Sequence, residues 1–555
     1  MEEKELLFAV PKNDDPLPSL KSSHGLLSWI STVDHKQLGI LYVYLALFFF
    51  MVGGIEALLM RTQLMWPELS LIDPQTYNQL FTMHGTTMVF LVLTPGLFGM
   101  ATYLIPLMIG ANEMAFPRLN ALSFWITFFG GLILNFSFVA GGAPDAGWFN
   151  YVPLSEKNYS FAPGVDYYCL GLIITGIGTI GAALNFAITI ITMRVKGMGY
   201  SRLPIFVWMM LIDSFLVLGA FPILNAGLFM LLIDRQLDAH FFLSTSGGSA
   251  ILWQHLFWMF GHPEVYILVL PAFGMVSEVI PVFSRKPIFG YGFIVGSGFA
   301  IALLAFGVWA HHMFAAGLGT PVNSFFASAS LLIAIPTGVK VVNWIATMHG
   351  GSLHFKTAML FAIAFILDFT IGGLSGVSFA IAPLDWQLTD TYYVVAHIHY
   401  VFLGGSLFCI FAGIYYWFPK MSGKLLNERL GRWHFWLFLA GFNLTFMPQH
   451  FLGIMGMPRR VYTYPDLPYF GILNLLSTCG AFLMTIAMFI FIYNIYKSLR
   501  NPASAPNNPW NAWTLEWDTS SPPALKNFDT LNKVEGRRPL FNETAANTNN
   551  HKNHE

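Results

Sequence analysis

Long apolar runs recur along the chain, and each could cross a lipid bilayer as a helix, which takes about 20 residues. The runs lack the alternation of apolar and polar positions that a membrane barrel needs, and a helix satisfies its own backbone hydrogen bonds in lipid. We therefore predict an all-α fold, an integral membrane bundle of about twelve transmembrane helices. The predicted spans are 37–59, 80–108, 121–143, 167–195, 204–233, 250–282, 290–315, 322–348, 357–379, 391–419, 431–453 and 471–497.

The chain divides into three segments. A polar N-terminal segment, 1–36, has no charged-then-apolar signal pattern, so the first helix is expected to insert the chain. Residues 37–500 are predicted to form one membrane domain, because the spans follow one another with short loops. From 501 to 555 the composition turns to Pro, Asn, Ser and Thr, which predicts a C-terminal tail that packs little by itself.

Composition and charge placement agree with a membrane location. The chain is 55% hydrophobic and only 10% charged, which leaves too little polar surface to cover a soluble body of 555 residues. An even number of spans places both termini on the same side of the membrane. On that side lie 22 of the 28 Lys and Arg residues, five lie on the opposite side, and Lys340 falls inside a span. The positive-inside rule then predicts that both termini are cytoplasmic. We expect a bacterial cytoplasmic (inner) membrane, with no nucleic-acid partner.

The three cysteines stand singly in apolar helices, which predicts neither disulfides nor thiolate-bound metals. Histidine is the more informative residue. One histidine in a membrane span is more often a packing residue or part of a proton path, but six in ligand-like arrangements favour metal binding. These six are His84, His262, His311, His312, His397 and His399.

Helical spacing sorts these histidines. His397 and His399 are about 200° apart around a helix, so they face opposite sides and can serve two metal sites. His311 and His312 are only about 100° apart and could reach one ion together with His262. Three imidazoles with an open position suit copper or zinc, and imidazole is also a usual axial ligand of haem iron. The histidines alone do not decide between these metals.

Other polar residues accompany the histidines. Tyr266 lies one turn beyond His262 on the same face, where its phenol could supply a proton and an electron, although a packing role is the simpler alternative. Glu264 is a carboxyl in an apolar helix and suits a proton donor. Lys340, with Thr337 three residues before it on the same face, suggests a polar path along its helix. A helix-packing ion pair is the alternative for Glu264 and Lys340.

A set of motifs spread over nearly the whole chain resembles subunit I of the haem-copper oxidase superfamily, and within it the cytochrome c oxidases. The motifs are FTMHGTTM at 81–88, ANEMAFPRLN at 111–120, FGHPEVYILVLP at 260–271, VWAHHMF at 308–314, PTGVK at 336–340, DTYYVVAHIHYVF at 390–402 and GMPRR at 456–460.

The resemblance implies roles for individual residues. His84 and His399 would be the axial ligands of a low-spin haem, His397 the ligand of a high-spin haem, and both haems would be of type A. His262, His311 and His312 would bind the facing copper ion, with Tyr266 covalently joined to His262. The haem surroundings would include Arg459 and Arg460 at the propionates, Asp385 near them, Trp148 above the active site, and Arg61 beside the low-spin haem.

The implied activity is the four-electron reduction of O2 to water, coupled to outward proton transport. Glu264 would relay protons from an entrance at Glu113, Asn112 and Asn120, while Lys340, Thr337 and Ser277 would form a second path. Electrons from cytochrome c would enter through a subunit II, since no segment here offers the residues of a two-copper entry site. Subunit III and others would complete the complex.

Three positions depart from the family pattern. The expected entrance aspartate is Glu113, and Thr102 stands where an asparagine is common. Thr389 replaces a histidine beside Asp390, so a magnesium site at Asp390 is in doubt. Four further acids in or near the spans have no predicted role: Glu56, Asp213, Glu278 and Asp368.

Three other functions compete with this interpretation. A quinol oxidase of the same superfamily would carry an Arg and an Asp in helix one and a His before the FTxHG segment, whereas this chain has Val52, Glu56 and Thr76. A nitric oxide reductase would lack the GHPEVY tyrosine. A secondary transporter, from a different class altogether, would need no paired haem ligands.

Overall fold

The computed structural model describes residues 25–531 and 533–541. This part of the chain is helical and contains no strand, apart from one isolated bridge between Thr391 and Pro458, which confirms the all-α prediction. The sixteen α-helices of the described residues are α1 Leu26–Ile30, α2 His35–Gln63, α3 Pro74–Thr87, α4 Thr94–Ile109, α5 Pro117–Phe136, α6 Gly164–Thr192, α7 Ile205–Leu237, α8 Ala250–Ser284, α9 Tyr291–Ala305, α10 Thr320–Met348, α11 Thr357–Ala380, α12 Ala382–Leu388, α13 Tyr392–Val401, α14 Phe408–Ser422, α15 Glu428–Ile454 and α16 Phe470–Leu499.

Ten helical segments of the described chain are long and apolar enough to cross a membrane. Two of them are composite: α3 and α4 form Pro74–Ile109, and α13 and α14 form Tyr392–Ser422. The predicted count of about twelve is not confirmed by this criterion. Each of the other two predicted spans contains a helix, but Tyr291–Ala305 has only 15 residues, and Glu428–Ile454 carries several charged and polar side chains.

Both composite segments contain a π-helical turn, Met88–Leu93 and Phe402–Leu407. The first turn begins four residues after His84 and the second begins three residues after His399. π-Helical turns are rare and are frequently found at functional sites, because they widen the helix locally and redirect the side chains that follow. Here they occur directly beside two predicted haem ligands.

The span predicted at 290–315 is interrupted. Helix α9 ends at Ala305, and a 3₁₀-helix follows at Trp309–Met313. His311 and His312 therefore do not lie on a continuous α-helix as the spacing argument assumed. In a 3₁₀-helix neighbouring side chains are about 120° apart, and the loop that positions this short helix lets both imidazoles approach one point.

Helices α7 and α8 run antiparallel and pack closely along their length. A Cβ on Gly274 of α8 would come within 2.8 Å of the Phe206 Cα of α7. At the other end of the pair, the rings of Phe221 and Phe260 are 5.0 Å apart. These two contacts define which residues of α7 lie opposite which residues of α8 along the helix axes.

The described part of the C-terminal tail packs against the bundle. Trp517 is fully buried, and the Lys420 ammonium at the end of α14 donates to the carbonyl of Thr519 at 2.7 Å. The Asn527 side chain donates to the Ala111 carbonyl at 2.9 Å. The described part of the tail has little regular structure beyond Leu515–Trp517, and it packs on the bundle, a contact that the composition did not indicate.

Candidate active site

Three histidines converge inside the helical bundle. Their candidate ligand nitrogens, from His262 of α8 and from His311 and His312 of the 3₁₀-helix, all lie within 4.8 Å of one another. The His312 Nε2 is 3.1 Å from the His311 Nε2 and 3.4 Å from the His262 Nδ1. Within the described chain this is the one group of three or more such side chains able to hold a metal ion.

Neighbouring residues fix the orientation of these rings. The Ser330 hydroxyl of α10 lies 2.6 Å from the His311 Nδ1, which leaves Nε2 directed at the other histidines. The Trp258 ring stacks on His312 with ring centres 3.9 Å apart. Partners of this kind set the tautomer and angle of metal-binding imidazoles. Three imidazole nitrogens converging on one point suit copper, so the residues present fit the ion that the motifs imply.

Tyr266 lies beside this cluster as the helical spacing predicted. Its ring centre is 4.8 Å from that of His262, with the planes inclined by 60°. The His262 Nε2 is buried and has no hydrogen-bond partner among the described residues. The phenol and an unpaired ring nitrogen of the cluster are therefore neighbours on α8.

A second pair of histidines faces across a cavity. The rings of His84 on α3 and His399 on α13 have centres 6.2 Å apart and planes 16° apart. With metal–nitrogen bonds of about 2.0–2.1 Å, two imidazoles on opposite sides of one ion have centres roughly 6 Å apart. The His84 Nδ1 is 2.8 Å from the Gly53 carbonyl and the His399 Nδ1 is 2.7 Å from the Val395 carbonyl. Both Nε2 atoms are thereby left with free lone pairs, which fits bis-histidine haem ligation.

The cavity between these rings has a largely apolar lining with a few cations at one end. Arg61 of α2 borders it, and its guanidinium donates to the Asn474 side chain at 3.0 Å. Two further guanidinium nitrogens of Arg61 are buried without a partner in the described chain. Other lining residues include Trp148, Tyr392, Phe402, Phe446, Arg459 and Arg460.

Arg459 and Arg460 follow α15 and supply the charged end of the cavity. The Arg460 guanidinium lies 4.3 Å from the centre of the Phe149 ring, and Gly147 has no side chain where a Cβ would strike it. Burial and the neighbouring Arg459 lower the pKa of Arg460 to about 9. Such a partly desolvated pair of cations is suited to bind carboxylate groups like those of a haem.

The remaining predicted neighbours of the haems occupy the same end. Trp148 lies edge-on to Trp258, with ring centres 5.9 Å apart, so it links the two histidine sites. Asp385 on α12 is buried, and burial raises the pKa of its carboxyl to about 7. Asp390 forms an ion pair with Arg459 at 2.6 Å.

His397 turns away from the cavity, as the 200° spacing predicted. It packs on Phe379 of α11, whereas His399 stacks on Phe446 of α15. The His397 Nδ1 is 3.0 Å from the Gly372 carbonyl, which leaves Nε2 available. A Cβ on Gly376 would come within 3.0 Å of the ring, so that glycine makes room for His397.

Glu264 of α8 is fully buried, and neither of its carboxylate oxygens has a partner in the described part of the chain. The alternative prediction of a helix-packing ion pair is therefore wrong for this residue. The Lys340 ammonium of α10 is also fully buried, and it donates to the Ile294 carbonyl of α9 at 2.8 Å. No acid pairs with it among the described residues.

The hydroxyls predicted to accompany Lys340 are engaged elsewhere. Thr337 donates to the Ile333 carbonyl of its own helix at 3.2 Å. Ser277 donates to the Phe273 carbonyl at 2.6 Å and accepts from the Trp344 indole at 2.9 Å. A continuous chain of hydrogen bonds from these hydroxyls to Lys340 is not formed by the side chains alone.

The predicted proton entrance lies at the end of the bundle that the tail covers. The Glu113 carboxylate accepts from the backbone of His35 and of Met114, both at 3.1 Å. The Asn112 side chain accepts from the backbone of Phe528 in the tail at 3.1 Å. Asn120 is buried with both side-chain atoms unpaired among the described residues. Asn112 and Glu113 therefore lie where the tail packs on the bundle, and the tail is an unpredicted part of this region.

Burial raises the pKa of Glu113 from its ordinary value to about 7, so the carboxyl exchanges its proton near neutral pH. We expect Glu113→Gln to slow turnover about tenfold or more, since an amide cannot transfer that proton. The unfolded chain ionises above about pH 4.5 and the folded chain only near pH 7, so the folded wild type loses stability over that interval. The melting temperature of Glu113→Gln relative to wild type should therefore rise between pH 5 and pH 8.

A constant melting-temperature difference across this range would contradict the pH dependence expected for Glu113. Glu113→Asp is the matched variant, because it keeps an ionisable carboxyl and should retain most of the turnover. Lys196→Gln, which removes an exposed charge at the same end of the bundle, serves as the control for general electrostatic effects.

The structure also shows contributors that sequence reasoning missed. Ser330, Gly53 and Gly372 orient the predicted ligand histidines through a hydroxyl or a carbonyl, and no sequence pattern marks such atoms. Asn527 of the tail lies 2.8 Å from the His35 imidazole at the entrance. That contact joins residues almost 500 positions apart, which a single sequence does not reveal.

Comparisons with known proteins agree with this geometry. The family described as "Cytochrome C and Quinol oxidase polypeptide I" matches residues 37–483. Cytochrome c oxidase subunit 1 of Alkalihalophilus pseudofirmus is 52% identical over 93% of this chain and 82% of its own length. Cytochrome c oxidase subunit 1 of Bacillus subtilis is 50% identical, with coverages of 95% and 85%. Quinol oxidase subunit 1 of the same organism is 48% identical, with coverages of 92% and 79%.

The fold is also found among solved structures. A chain from a cryo-EM structure of a heme-copper terminal oxidase dimer superimposes with a TM-score of 0.71, covering 92% of this chain and 89% of that one. The sequence identity of this pair is 16%, so the likeness concerns the fold alone.

Proposed function

The chain belongs to the Cytochrome C and Quinol oxidase polypeptide I family, and on that premise we infer that it is the catalytic subunit of a cytochrome c oxidase that reduces O2 to water. One observation carries this inference. A cluster of three histidines and a facing pair of histidines lie in the same helical bundle, with Trp148 between them. A secondary transporter would need neither the cluster nor the paired histidines, because it binds no haem or copper.

The cofactors that the family implies are haem and copper, which when bound would carry the electrons of the donor and form the metal site for oxygen reduction. His262, His311 and His312 would hold the copper ion. His84 and His399 would hold one haem iron and His397 the other. Arg459 and Arg460 would bind the haem propionates, and the apolar lining of the cavity would exclude water from the low-spin haem.

Protons would be delivered by residues of this chain. Glu113 takes up a proton at the end of the bundle, and Glu264 holds one close to the histidine cluster. Tyr266 can release a further proton beside His262. Lys340 carries protons on a second route, where water molecules would have to join it to Thr337 and Ser277, because those hydroxyls bond to their own helices. Coupling to outward proton transport is part of the proposal.

The chain would work in a bacterial cytoplasmic membrane as part of a larger complex. Oxidase subunits accompany members of this family, and we propose a subunit II that carries the electron-entry copper site, together with a subunit III. We propose that both termini are cytoplasmic. The 22-to-5 distribution of Lys and Arg supports this orientation.

We assign both haems to type A on the resemblance to cytochrome c oxidases. Magnesium is a weaker assignment. The Asp390 carboxylate accepts two hydrogen bonds from Arg459, at 2.6 and 3.0 Å, and Thr389 offers no imidazole. This donor set does not fit a magnesium ligand, so we assign no step to that ion.

The first test is the optical spectrum of the purified complex. Two haem signals in the reduced-minus-oxidised spectrum are expected, with three copper ions per two haems, one at the histidine cluster and two at the entry site of subunit II. A complex without haem absorption would contradict the oxidase function altogether and would favour a transporter.

The electron donor is identified by comparing the rate of turnover with reduced cytochrome c and the rate of turnover with a quinol. Because Val52 and Thr76 stand where quinol oxidases carry an Arg and a His, we expect rapid oxidation of cytochrome c and slow oxidation of quinol. A quinol oxidase remains the second candidate because one relative at 48% identity bears that name. Faster quinol oxidation, in a preparation free of cytochrome c reductase, would establish that second function.

A further inference from the structure

The C-terminal tail binds the first residues of α2 at the place where Glu113 also contacts them. Asn527 of the tail is buried, and its side-chain nitrogen donates to the Ala111 carbonyl at 2.9 Å and lies 2.8 Å from the His35 Nε2. Its side-chain oxygen accepts from the Lys36 ammonium at 3.1 Å. One amide of the tail therefore bonds to both residues that begin α2 and to the loop that carries Glu113.

These partners fix the direction of the Asn527 amide. A carbonyl oxygen only accepts hydrogen bonds and an ammonium only donates them. The NH2 group must therefore face the Ala111 carbonyl and His35, while the oxygen faces Lys36. The reversed amide would place its oxygen against the Ala111 oxygen and its NH2 group against the ammonium.

The same reasoning fixes the proton on the His35 ring. The amide NH2 group only donates, so the His35 Nε2 must accept through its lone pair. The Nδ1 atom lies 3.0 Å from the Thr102 carbonyl of α4, which only accepts, so Nδ1 carries the hydrogen. The ring is thus held between α4 and the tail as the uncharged Nδ1–H tautomer. A second proton, on Nε2, would point at the NH2 group of Asn527 and break that contact.

His35 in turn contacts the proposed proton entrance. Its backbone N–H donates to the Glu113 carboxylate at 3.1 Å. Because His35 is the first residue of α2, this N–H has no partner within the helix. Holding the ring between Thr102 and Asn527 therefore holds in place the residue whose backbone binds the carboxylate.

The charged and titratable groups that face His35 in the described chain are Asp34, Lys36, Glu113 and Tyr103. Asp34 and Lys36 form an ion pair at 3.0 Å, and the Tyr103 hydroxyl donates to a backbone carbonyl. With His35 uncharged, this surrounding carries little net charge, and burial raises the pKa of Glu113 to about 7. A positive charge on His35 would stabilise the carboxylate, so that Glu113 would release its proton at lower pH.

We propose that Asn527 is a positioning residue for proton uptake: its amide keeps His35 uncharged and keeps the backbone N–H of His35 on the Glu113 carboxylate. The tail thereby belongs to the proton entrance in function as well as in position. The inference rests on the proposed oxidase function, because it gives the tail a part in the proton delivery that begins at Glu113.

The test measures steady-state oxygen uptake by the purified complex as a function of pH. We expect Asn527→Ala to lower turnover by about three- to tenfold, the effect of one lost hydrogen bond. The pH at which turnover falls to half on the alkaline side should move down by about half a unit or more, because water in the vacated space lets His35 take a second proton.

The matched control is Asn508→Ala. Asn508 is another amide of the tail, and its side chain bonds to the backbone of Ala512 within the tail. Its turnover should stay within about twofold of wild type, with the alkaline midpoint unmoved. An equal loss in both variants would assign the effect to general loosening of the tail and would overturn the proposal.

A second variant separates the donor role of Asn527 from its packing. Asn527→Asp keeps the shape of the side chain, but beside the Lys36 ammonium its carboxylate offers only acceptors to His35 and Ala111. We expect turnover to fall by about threefold or more, whereas a packing role alone predicts the wild-type rate. Should Asn527→Ala assemble without haem, Asn527→Asp decides alone. Loss of haem from that variant too would assign Asn527 to folding and would refute a role in proton uptake.

A double variant shows whether Asn527 acts through Glu113. Adding Asn527→Ala to Glu113→Gln should lower turnover by no more than about twofold, because the group that Asn527 positions is already gone. Multiplied losses would contradict the proposal. A wild-type complex that consumes no oxygen would contradict the proposed function itself, whereas oxygen uptake that depends on Glu113 but not on Asn527 would contradict only the role given to Asn527.

Discussion

Glu264→Gln is expected to leave the haem spectra intact while oxygen consumption falls by about a hundredfold or more. Glutamine has nearly the same shape as glutamate, so the packing of α8 should survive. It cannot release an acid proton, however, and Glu264 is fully buried with no hydrogen-bond partner among the described residues that would give it a structural role. Steady-state oxygen uptake and optical spectra of the same preparation measure the two effects.

Glu278→Gln is the matched control for this variant, because Glu278 lies on the same helix and its carboxylate accepts from the Phe206 backbone at 3.2 Å. We expect it to keep most of the activity. Near-normal oxygen uptake by Glu264→Gln would remove Glu264 from proton delivery.

His312→Ala is expected to abolish turnover by removing copper while the low-spin haem remains. The His312 Nε2 lies within 3.4 Å of a nitrogen of each of the other two histidines, so its loss leaves a site of two imidazoles. A fall in turnover of about a thousandfold or more is expected, because the oxygen-reducing site would lack its second metal. His84 and His399 lie in a separate cavity and are unaffected. Metal analysis should show the copper content falling by one ion per two haems, from three to two, because the entry site of subunit II keeps its copper.

His255→Gln provides the control for a nearby imidazole outside the cluster. His255 of α8 accepts a hydrogen bond from the Trp309 indole at 3.1 Å, and its replacement should leave copper in place. A His312→Ala complex with its full copper content would show that the ion is held by other residues.

The sequence was most informative where function depends on residues close together in the chain. The opposite faces of His397 and His399, and the position of Tyr266 beside His262, follow from helical geometry and are seen in the structure. The all-α membrane fold follows from run length and backbone hydrogen bonding in lipid. These features require no knowledge of how distant segments meet.

Features that depend on contacts between distant segments could not be predicted from the sequence. The Ser330 hydroxyl that orients His311 lies on another helix. The sequence does not distinguish this serine from other serines in the membrane spans. The 3₁₀-helix at Trp309–Met313 was hidden inside an apolar run that length alone assigned to one continuous helix. The packing of the tail against the bundle could not be predicted, because composition describes how a segment packs on itself and not its affinity for a preformed surface.

The π-helical turns at Met88–Leu93 and Phe402–Leu407 carry a consequence for insertions and deletions in this gene. A π turn holds one residue more than the α-helical path it interrupts, so each behaves as a one-residue insertion that the helix has absorbed. Deleting one residue from either turn would restore a regular α-helix without removing any ligand. The helix beyond it would keep the faces that it presents to its neighbours, because the extra residue had been absorbed within the turn. A one-residue deletion from the α-helical part of the same segment would instead rotate the helix beyond it by about 100° relative to His84 or His399. The two turns are therefore the places where these segments tolerate a change in the number of residues.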